Sequence, residues 1–352
     1  MIDPVAFSVE HKHEQVVSYF DDETGLRAFI ALHNTRRGPA VGGSRLWHYD
    51  SPQDALLDVL RLSEGMTYKA ALAGLPLGGG KTVILADGNE QDASLRAARF
   101  RVLGRYIEAL GGRYITAEDV GTTPEDMAQA RRSTRFVMGT PIEEGGSGDP
   151  SPMTAFGVLC GMRALVEDVL GRDTLAGVRV AIQGLGKVGM GLAELLAREG
   201  AAVIGSDVRP QVVEEARNRL KIEVVEPQAI YDVPCEIFAP CAMGAVMNDR
   251  TIPRLACRIV AGSANNQLEE ERHAEALHAR AIVYAVDYVI NSGGLINVAS
   301  ELDGYDENKA RAQTAQIYYT IKRMLEIARA EGISTQRAAH RVALNILGNA
   351  AK

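Results

Sequence analysis

Between residues 51 and 74 the apolar side chains Ala55, Leu56, Val59, Leu60 and Leu62 recur with mostly helical spacing. Ser51 and Asp54 ahead of them resemble a capping box, so the pattern predicts a helix over SPQDALLDVLRLSEGMTYKAALAG. The period then changes: TVILA, at 82–86, is a short β-branched run and predicts a strand. Upstream, SVEHKHEQVVSYF and LRAFIALHNT predict two strands joined at the DDETG turn. Downstream, SLRAARFRVLGRYIEALGG predicts a long helix, RYITAED a strand and TPEDMAQARRS a further helix.

A Gly/Pro/Ser-rich segment, PIEEGGSGDPSP at 141–152, interrupts these periodic stretches. After it the alternation becomes regular, with strands predicted at VRVAIQ, AAVIGSDV, IEVVE, EIFAPC, RIVAGS and AIVYAV and helical or mixed segments between most of them. Strands alternating with helices imply a doubly wound parallel sheet. At 352 residues the chain exceeds the usual reach of a single core, so two α/β domains are expected. They span residues 1–147 and 148–331, with a final helix, 332–352, packing back on the first.

The first unit after the break carries Gly184, Leu185, Gly186, Lys187, Val188 and Gly189, a G-x-G-x-x-G string between a predicted strand and a helix over roughly 188–199. An acidic residue, Asp207, ends the next strand 18 residues after Gly189. The string alone is weak, but this context makes it a dinucleotide fingerprint and the domain Rossmann-type. Gly184 permits the tight turn, Gly186 lets backbone approach a pyrophosphate, and Gly189 lets helix and strand pack closely. The helix N-terminus offers N–H groups and partial positive charge to the phosphates. A carboxylate at Asp207 can accept from ribose hydroxyls and repels a 2′-phosphate, which favours NAD over NADP. Arg209, two residues on, works against that preference.

Composition narrows the class. Charged residues make up 24% and apolar residues 46%, the net charge is −7, and only 5% of residues are aromatic. Without a basic stripe a nucleic-acid partner is not expected. No apolar stretch approaches a membrane span, and the N-terminus lacks a signal pattern, so a cytoplasmic protein is expected. Cys160, Cys235, Cys241 and Cys257 show no CxxC spacing and are expected to pack as small buried hydrophobes; no metal site is expected.

GLPLGGGKT, at 74–82, looks like a phosphate-binding loop, but that motif needs a glycine where Leu75 stands and has its strand before and its helix after. Lys81 therefore has another task. Lys69 and Lys81 stand twelve residues apart in apolar, glycine-rich surroundings, and Lys81 is expected to follow a glycine turn. Desolvation and a second nearby cation would lower such a lysine's pKa toward that of a general acid or base. Asp119, at the end of the RYITAED strand, fits either a reactive carboxylate or a helix N-cap.

Taken together, GPAVGGSRLW, RLSEGMTYKAALAGLPLGGGKTVI, GRYITAEDVGTT, SGDPSPMTAFGV, GLGKVG, IVAGSANNQL and DYVINSGGLINVA resemble the family of glutamate, leucine, phenylalanine and valine dehydrogenases, the leucine branch most. The resemblance runs in order over roughly residues 10–310. It implies an N-terminal substrate and oligomerisation domain, the nucleotide domain after it, a cleft between them, and a homo-oligomer. It implies that Lys69 binds the substrate carboxylate, that Lys81 is the catalytic acid/base, and that Asp119 is the second proton-transfer group. Gly42 and Gly43 then offer backbone to the substrate, Thr154 contacts the nicotinamide amide, and Asn266 is a polar contact near amine and nicotinamide. The implied reaction takes an L-amino acid, NAD⁺ and water to a 2-oxo acid, NADH and ammonium.

Two departures from the leucine branch stand out: Asp149 replaces a common asparagine, and the C-terminal segment is short. Side-chain pocket positions carried over from the family are Val41, Ala117, Met138, Leu295 and Val298, all apolar. Glutamate enzymes have a lysine at the position of Val41, so glutamate is disfavoured and leucine, valine and isoleucine are expected. The alternatives are an aromatic-selective enzyme and a non-catalytic dinucleotide sensor; the joint presence of Lys69, Lys81 and Asp119 counts against the sensor.

Overall fold

The computed structural model describes residues 3–242 and 244–348, which fold into two compact units. One runs through Asp149 and takes back Val298–Asp306 and Ile346–Gly348; the other holds Pro150–Asn297 and Glu307–Asn345. Residues 332–345 thus belong to the second unit, and residues 349–352 of the expected last helix lie outside the described residues.

The first unit begins with α1 (Pro4–Glu10), whose last three residues fall within the predicted strand SVEHKHEQVVSYF. Asp3 caps it by accepting from Val5 N at 2.9 Å, and Pro4 occupies its first turn. The strand pattern starts only at β1 (Gln15–Asp21), which pairs antiparallel with β2 (Leu26–Asn34). Next come β3 (Ala40–Val41), β4 (Ser44–Trp47), α2 (Pro52–Leu72), β5 (Gly78–Leu85), α3 (Ala93–Glu108), β6 (Tyr114–Ile115) and α4 (Pro124–Arg131). Ser51 caps α2 and accepts from Asp54 N, as the sequence predicts. The sheet order is β1-β2-β5-β3-β6, with β4 also on β5. One apolar cluster joins it to α3 and α4 through Phe100, Leu103, Ile107, Met127 and Ala130; another joins it to α2 through Ala55, Val59, Leu60 and Val83.

Contrary to the turn expected before Lys81, Gly78, Gly79 and Gly80 lie inside β5 and none has a positive φ. They are glycines because neighbours crowd the strand. A Cβ on Gly78 would fall 1.9 Å from Asn34 O, one on Gly79 2.1 Å from Thr67 N, and one on Gly80 2.8 Å from the Tyr114 ring. Strand alternation puts Gly79, Lys81 and Val83 on the α2 face, so missing side chains let α2 lie directly against the strand beside the lysine.

The second unit contains α5 (Ser151–Leu165), widening into a π-helical turn at Val166–Leu170, then β7 (Arg179–Gln183), α6 (Lys187–Arg198), β8 (Ala202–Ser206), α7 (Pro210–Leu220), β9 (Glu223–Val224), β10 (Ile237–Pro240), β11 (Ile259–Val260), α8 (Arg272–Ala279) and β12 (Val283–Tyr284). Five helices close the chain: α9 (Asp287–Ile290), α10 (Gly293–Ala299), α11 (Glu307–Thr314), α12 (Ile317–Glu331) and α13 (Thr335–Ile346). All six strands are parallel, in the order β12-β11-β10-β7-β8-β9, so the side on which successive strands are added reverses at β7. That reversal opens a crevice at the strand C-termini, where a dinucleotide binds in such sheets. The four cysteines are free thiols; Cys160 is buried and the other three are half-buried rather than fully enclosed. No described helix is long and apolar enough to cross a membrane.

Candidate active site

In the first unit β5 has β2 along one side, while its other side is covered by β3 at 78–79 and by β4 at 82–85. Between them Gly42 and Gly43 leave the ladder, opposite Gly80 and Lys81. The backbones are so close here that a Cβ on Gly42 would lie 1.7 Å from Gly80 O, and one on Gly43 2.8 Å from Asp119 Cβ. This break in the sheet brings Lys81 to Asp119.

Lys81 Nζ lies 2.8 Å from Asp119 Oδ1, and the lysine is only 4% exposed. Burial lowers its pKa; Asp119 opposes that fall and the Arg45 cation adds to it. Burial alone would raise the Asp119 carboxyl, but Lys81 and Arg45 together bring it down to about 2. Asp119 caps no helix, since α4 is capped by Thr123 in a capping box with Asp126. Its backbone N–H instead donates to Thr122 Oγ1, fixing the loop. Arg45, absent from the sequence expectations, is the second cation of this site and donates from Nε to Asp119 Oδ2 at 3.0 Å. Only its place directly after GGS in the motif could have marked it.

Lys69 is half-buried on the last turn of α2, two residues beyond Thr67, where that helix touches Gly79. Val41 is buried in β3, whose register partners are Gly79 on β5 and Ile115 on β6. Ala117 O accepts from Ser44 N, and Met138 N donates to Thr116 O, so Val41, Ala117 and a buried Met138 occupy adjoining backbone segments. Val298 is buried in the returning segment. Leu295 precedes it by three residues on α10 and belongs to the second unit.

In the second unit Gly184 has φ +95°, and a Cβ there would strike Ala242; Gly189 has Gly184 O at 2.0 Å from its ideal Cβ. Gly186 caps α6 and faces open space apart from the Arg209 guanidinium, 3.7 Å from its ideal Cβ. Turn, close packing and room for a ligand thus fall where the fingerprint assigns them. Asp207 accepts from Leu185 N at 2.9 Å and from the backbone and guanidinium of Arg209. These donors outweigh its burial and hold its carboxyl at about 2. Thr154 donates to Pro150 O on the first turn of α5, with its hydroxyl 2.6 Å from the ideal Cβ of Gly294. Asn266 is exposed at φ +50° beside Gly244.

A parallel sheet with an open glycine fingerprint, in one chain with a lysine–carboxylate pair shielded from solvent, fits the class of oxidoreductases that use a nicotinamide dinucleotide. Comparison with known proteins agrees. Residues 12–136 match the family described as Glu/Leu/Phe/Val dehydrogenase, dimerisation domain, and residues 145–216 and 206–351 match Glutamate/Leucine/Phenylalanine/Valine dehydrogenase. Leucine dehydrogenase of Bacillus cereus is 50% identical over 95% of this chain and 90% of its own length. Phenylalanine dehydrogenase of Bacillus thermotolerans is 46% identical over 97% and 90%. The crystal structure of L-tryptophan dehydrogenase from Nostoc punctiforme superposes with a TM-score of 0.85 at 42% identity, covering 98% of each chain. The chain belongs to the glutamate/leucine/phenylalanine/valine dehydrogenase family and is an amino-acid dehydrogenase.

Proposed function

We propose that the protein catalyses the reversible, NAD-dependent oxidative deamination of aliphatic L-amino acids, with leucine, valine and isoleucine preferred. The observation that carries the reading is the ion pair between buried Lys81 and half-buried Asp119 at 2.8 Å. A lysine whose pKa is lowered by burial gives up its proton more readily than a solvated lysine does.

The residues of the second unit fit the cofactor: Gly186 leaves space for a pyrophosphate at the start of α6, and Asp207 at the end of β8 repels a 2′-phosphate. Lys187, Val188, Thr154 and Asn266 complete its assigned contacts. NAD⁺, when bound there, would supply the acceptor for the hydride leaving Cα of the substrate once its ammonium group has lost a proton. Neutral Lys81 removes a proton from the water that attacks the resulting iminium carbon. Once that proton is taken up, Asp119 holds the charged ammonium in place. When Lys81 is neutral, Asp119 loses its strongest attraction and becomes the better acceptor, so the pair passes protons as a unit toward the departing ammonia. Lys69 supplies the cation for the substrate carboxylate, and Gly42 and Gly43 supply backbone.

Val41, Ala117, Met138 and Val298, all of the first unit, give the substrate side chain apolar surroundings. A second carboxylate among them would cost several kcal/mol, which disfavours glutamate. Similarity to leucine dehydrogenases supports the aliphatic preference, and similarity to phenylalanine and tryptophan dehydrogenases favours an aromatic-selective enzyme as the second reading. Hydrophobic pockets separate substrates by only about 1–3 kcal/mol per methylene, so overlapping activities are expected. The description of the first domain as a dimerisation domain supports a homo-oligomer.

The test is NADH absorbance on mixing the protein with NAD⁺ and a panel of L-amino acids. Leucine, valine and isoleucine should give the highest kcat/KM and glutamate very little. A higher value for phenylalanine or tryptophan than for all three aliphatic substrates transfers the assignment to the aromatic reading. Lys81→Ala should nearly abolish turnover while NADH binding, followed by fluorescence titration, persists; near-normal turnover would remove Lys81 from the chemistry.

A further inference from the structure

We infer that Arg45 is a positioning residue for proton transfer: it holds one oxygen of Asp119 so that the other stays on Lys81. The inference rests on the proposed role of Lys81.

Arg45 lies on β4, paired in register with Val83 of β5, and that pairing places both side chains on the face covered by α2. Its side chain is 16% exposed and reaches two carboxylates. Nε donates to Asp119 Oδ2 at 3.0 Å, and a terminal nitrogen donates to Asp58 Oδ2 at 3.2 Å. Asp58 comes from α2 and is held by the Tyr49 hydroxyl, which donates to the same oxygen at 2.6 Å. The guanidinium fork therefore ties α2 to the Asp119 loop across the position of Lys81. A planar, five-donor cation suits this bridge, because each oxygen it engages is fixed in direction as well as distance. With Oδ2 occupied by Arg45, only Oδ1 is left to Lys81, at 2.8 Å.

The electrostatics give the inference a sign. The charged and titratable groups around Lys81 are Asp119 from its loop, Arg45 from β4, Asp58 from α2, and the phenols of Tyr49 and Tyr114. Lys69 on α2 is the same in every comparison below. Arg45 repels a second cation, whereas Asp119 and Asp58 favour the protonated lysine. Replacing Arg45 by an apolar residue removes the repulsion and leaves both carboxylates uncompensated, so every change favours protonated Lys81. Removing the charge of Asp58 does the opposite. A residue that only supported the fold would lower activity without displacing the pH dependence in opposite directions at these two positions.

The experiment is the pH profile of kcat/KM for oxidative deamination of one substrate, leucine or the best substrate of the panel, with the full-length protein. Using one substrate keeps that substrate's own titration constant. The rising limb reports the group that must lose a proton in free enzyme or substrate. Arg45→Met should move the limb upward by at least about half a pH unit, an activity loss of threefold or more below the limb. Asp58→Asn should move it downward, and Arg45→Lys, which keeps the charge but not the fork, should leave the limb near its original pH with a reduced plateau. If Arg45→Met does not fold, Asp58→Asn and Arg45→Lys still decide the question. Overturning results are an unmoved limb in Asp58→Asn or in a folded Arg45→Met, or an upward displacement in Asp58→Asn. If these occur while Lys81→Ala is inactive, the positioning role falls and the proposed function stands; if Lys81→Ala stays active, the proposed function itself falls.

Discussion

Adding one methyl group at Gly79 should damage both stability and catalysis, because buried Lys81 is kept dry by direct contact between a helix and a strand. In Gly79→Ala the new Cβ would lie 2.1 Å from Thr67 N, 2.2 Å from Thr67 Oγ1 and 2.5 Å from Thr67 Cα. Ordinary carbon contacts lie at about 3.5–4.0 Å, so α2 must withdraw from β5 by roughly 1–1.5 Å. The obstacle is mostly backbone, so no rotamer change relieves it. The Thr67 hydroxyl is also the partner of His33 Nδ1 at 2.8 Å, and that bond is strained at the same time. Overpacking of this kind costs about 1–3 kcal/mol or more, which corresponds to a fall in Tm of about 3–10 °C for a unit of this size. Lys69 follows Thr67 by two residues on the displaced helix, and Lys81 follows Gly79 by two on the strand. A misplacement of about 1 Å between groups that hold and react with a substrate can reduce turnover about a hundredfold. Thermal unfolding followed by circular dichroism, with initial rates of NADH formation, measures both effects. Gly65→Ala is the control on the same helix: its Cβ meets nothing within 4 Å, and losing a helix-interior glycine should stabilise by about 0.5–1 kcal/mol. Wild-type Tm and kcat/KM in Gly79→Ala would refute the account of why β5 carries three glycines.

Three further outcomes are expected. Lys69→Ala should mainly raise KM for the amino acid, with a smaller fall in kcat because a loosely held carboxylate also misplaces Cα; an unchanged KM in steady-state kinetics would contradict its role. Asp207→Ser should narrow the preference for NAD⁺ over NADP⁺, since it removes the carboxylate and frees Arg209 from the pair at 3.0 Å; equal use of both cofactors by the unaltered protein would refute the carboxylate argument. His33 is held by burial at about 4, below the 6.5 of an unfolded histidine, so its neutral burial supports the fold fully above about pH 6.5 and progressively less as pH falls toward 4. The loss is on the order of 3 kcal/mol, and His33→Gln should flatten the stability decline over that window in urea titrations; an unchanged slope would show that other groups cause it.

The dinucleotide unit was legible in the sequence because its signals are local. Gly184, Gly186 and Gly189 act within one strand–turn–helix, and Asp207 follows on the adjacent strand, so spacing along the chain fixes spacing in space. Helix α2 and its Ser51 cap were legible for the same reason. The resemblance to a known family singled out Lys69, Lys81 and Asp119, but periodicity left Asp119 open between a cap and a reactive carboxylate. Tertiary structure removed the cap, which Thr123 takes, and the break in the ladder at Gly42–Gly43 admits the Asp119 loop to Lys81. It also reversed the meaning of Gly78–Gly80. A run of glycines in sequence signals a turn, yet glycine serves equally where backbones meet, and only the helix and strands packed on β5 distinguish the two. Arg45 was invisible for a related reason. An arginine after a glycine pair carries no period and no spacing signal; its task comes from Asp119 and Asp58, brought to it from 74 and 13 residues away by the order of the strands. Which residues can do chemistry was written in their types, and which ones meet was decided by the sheet.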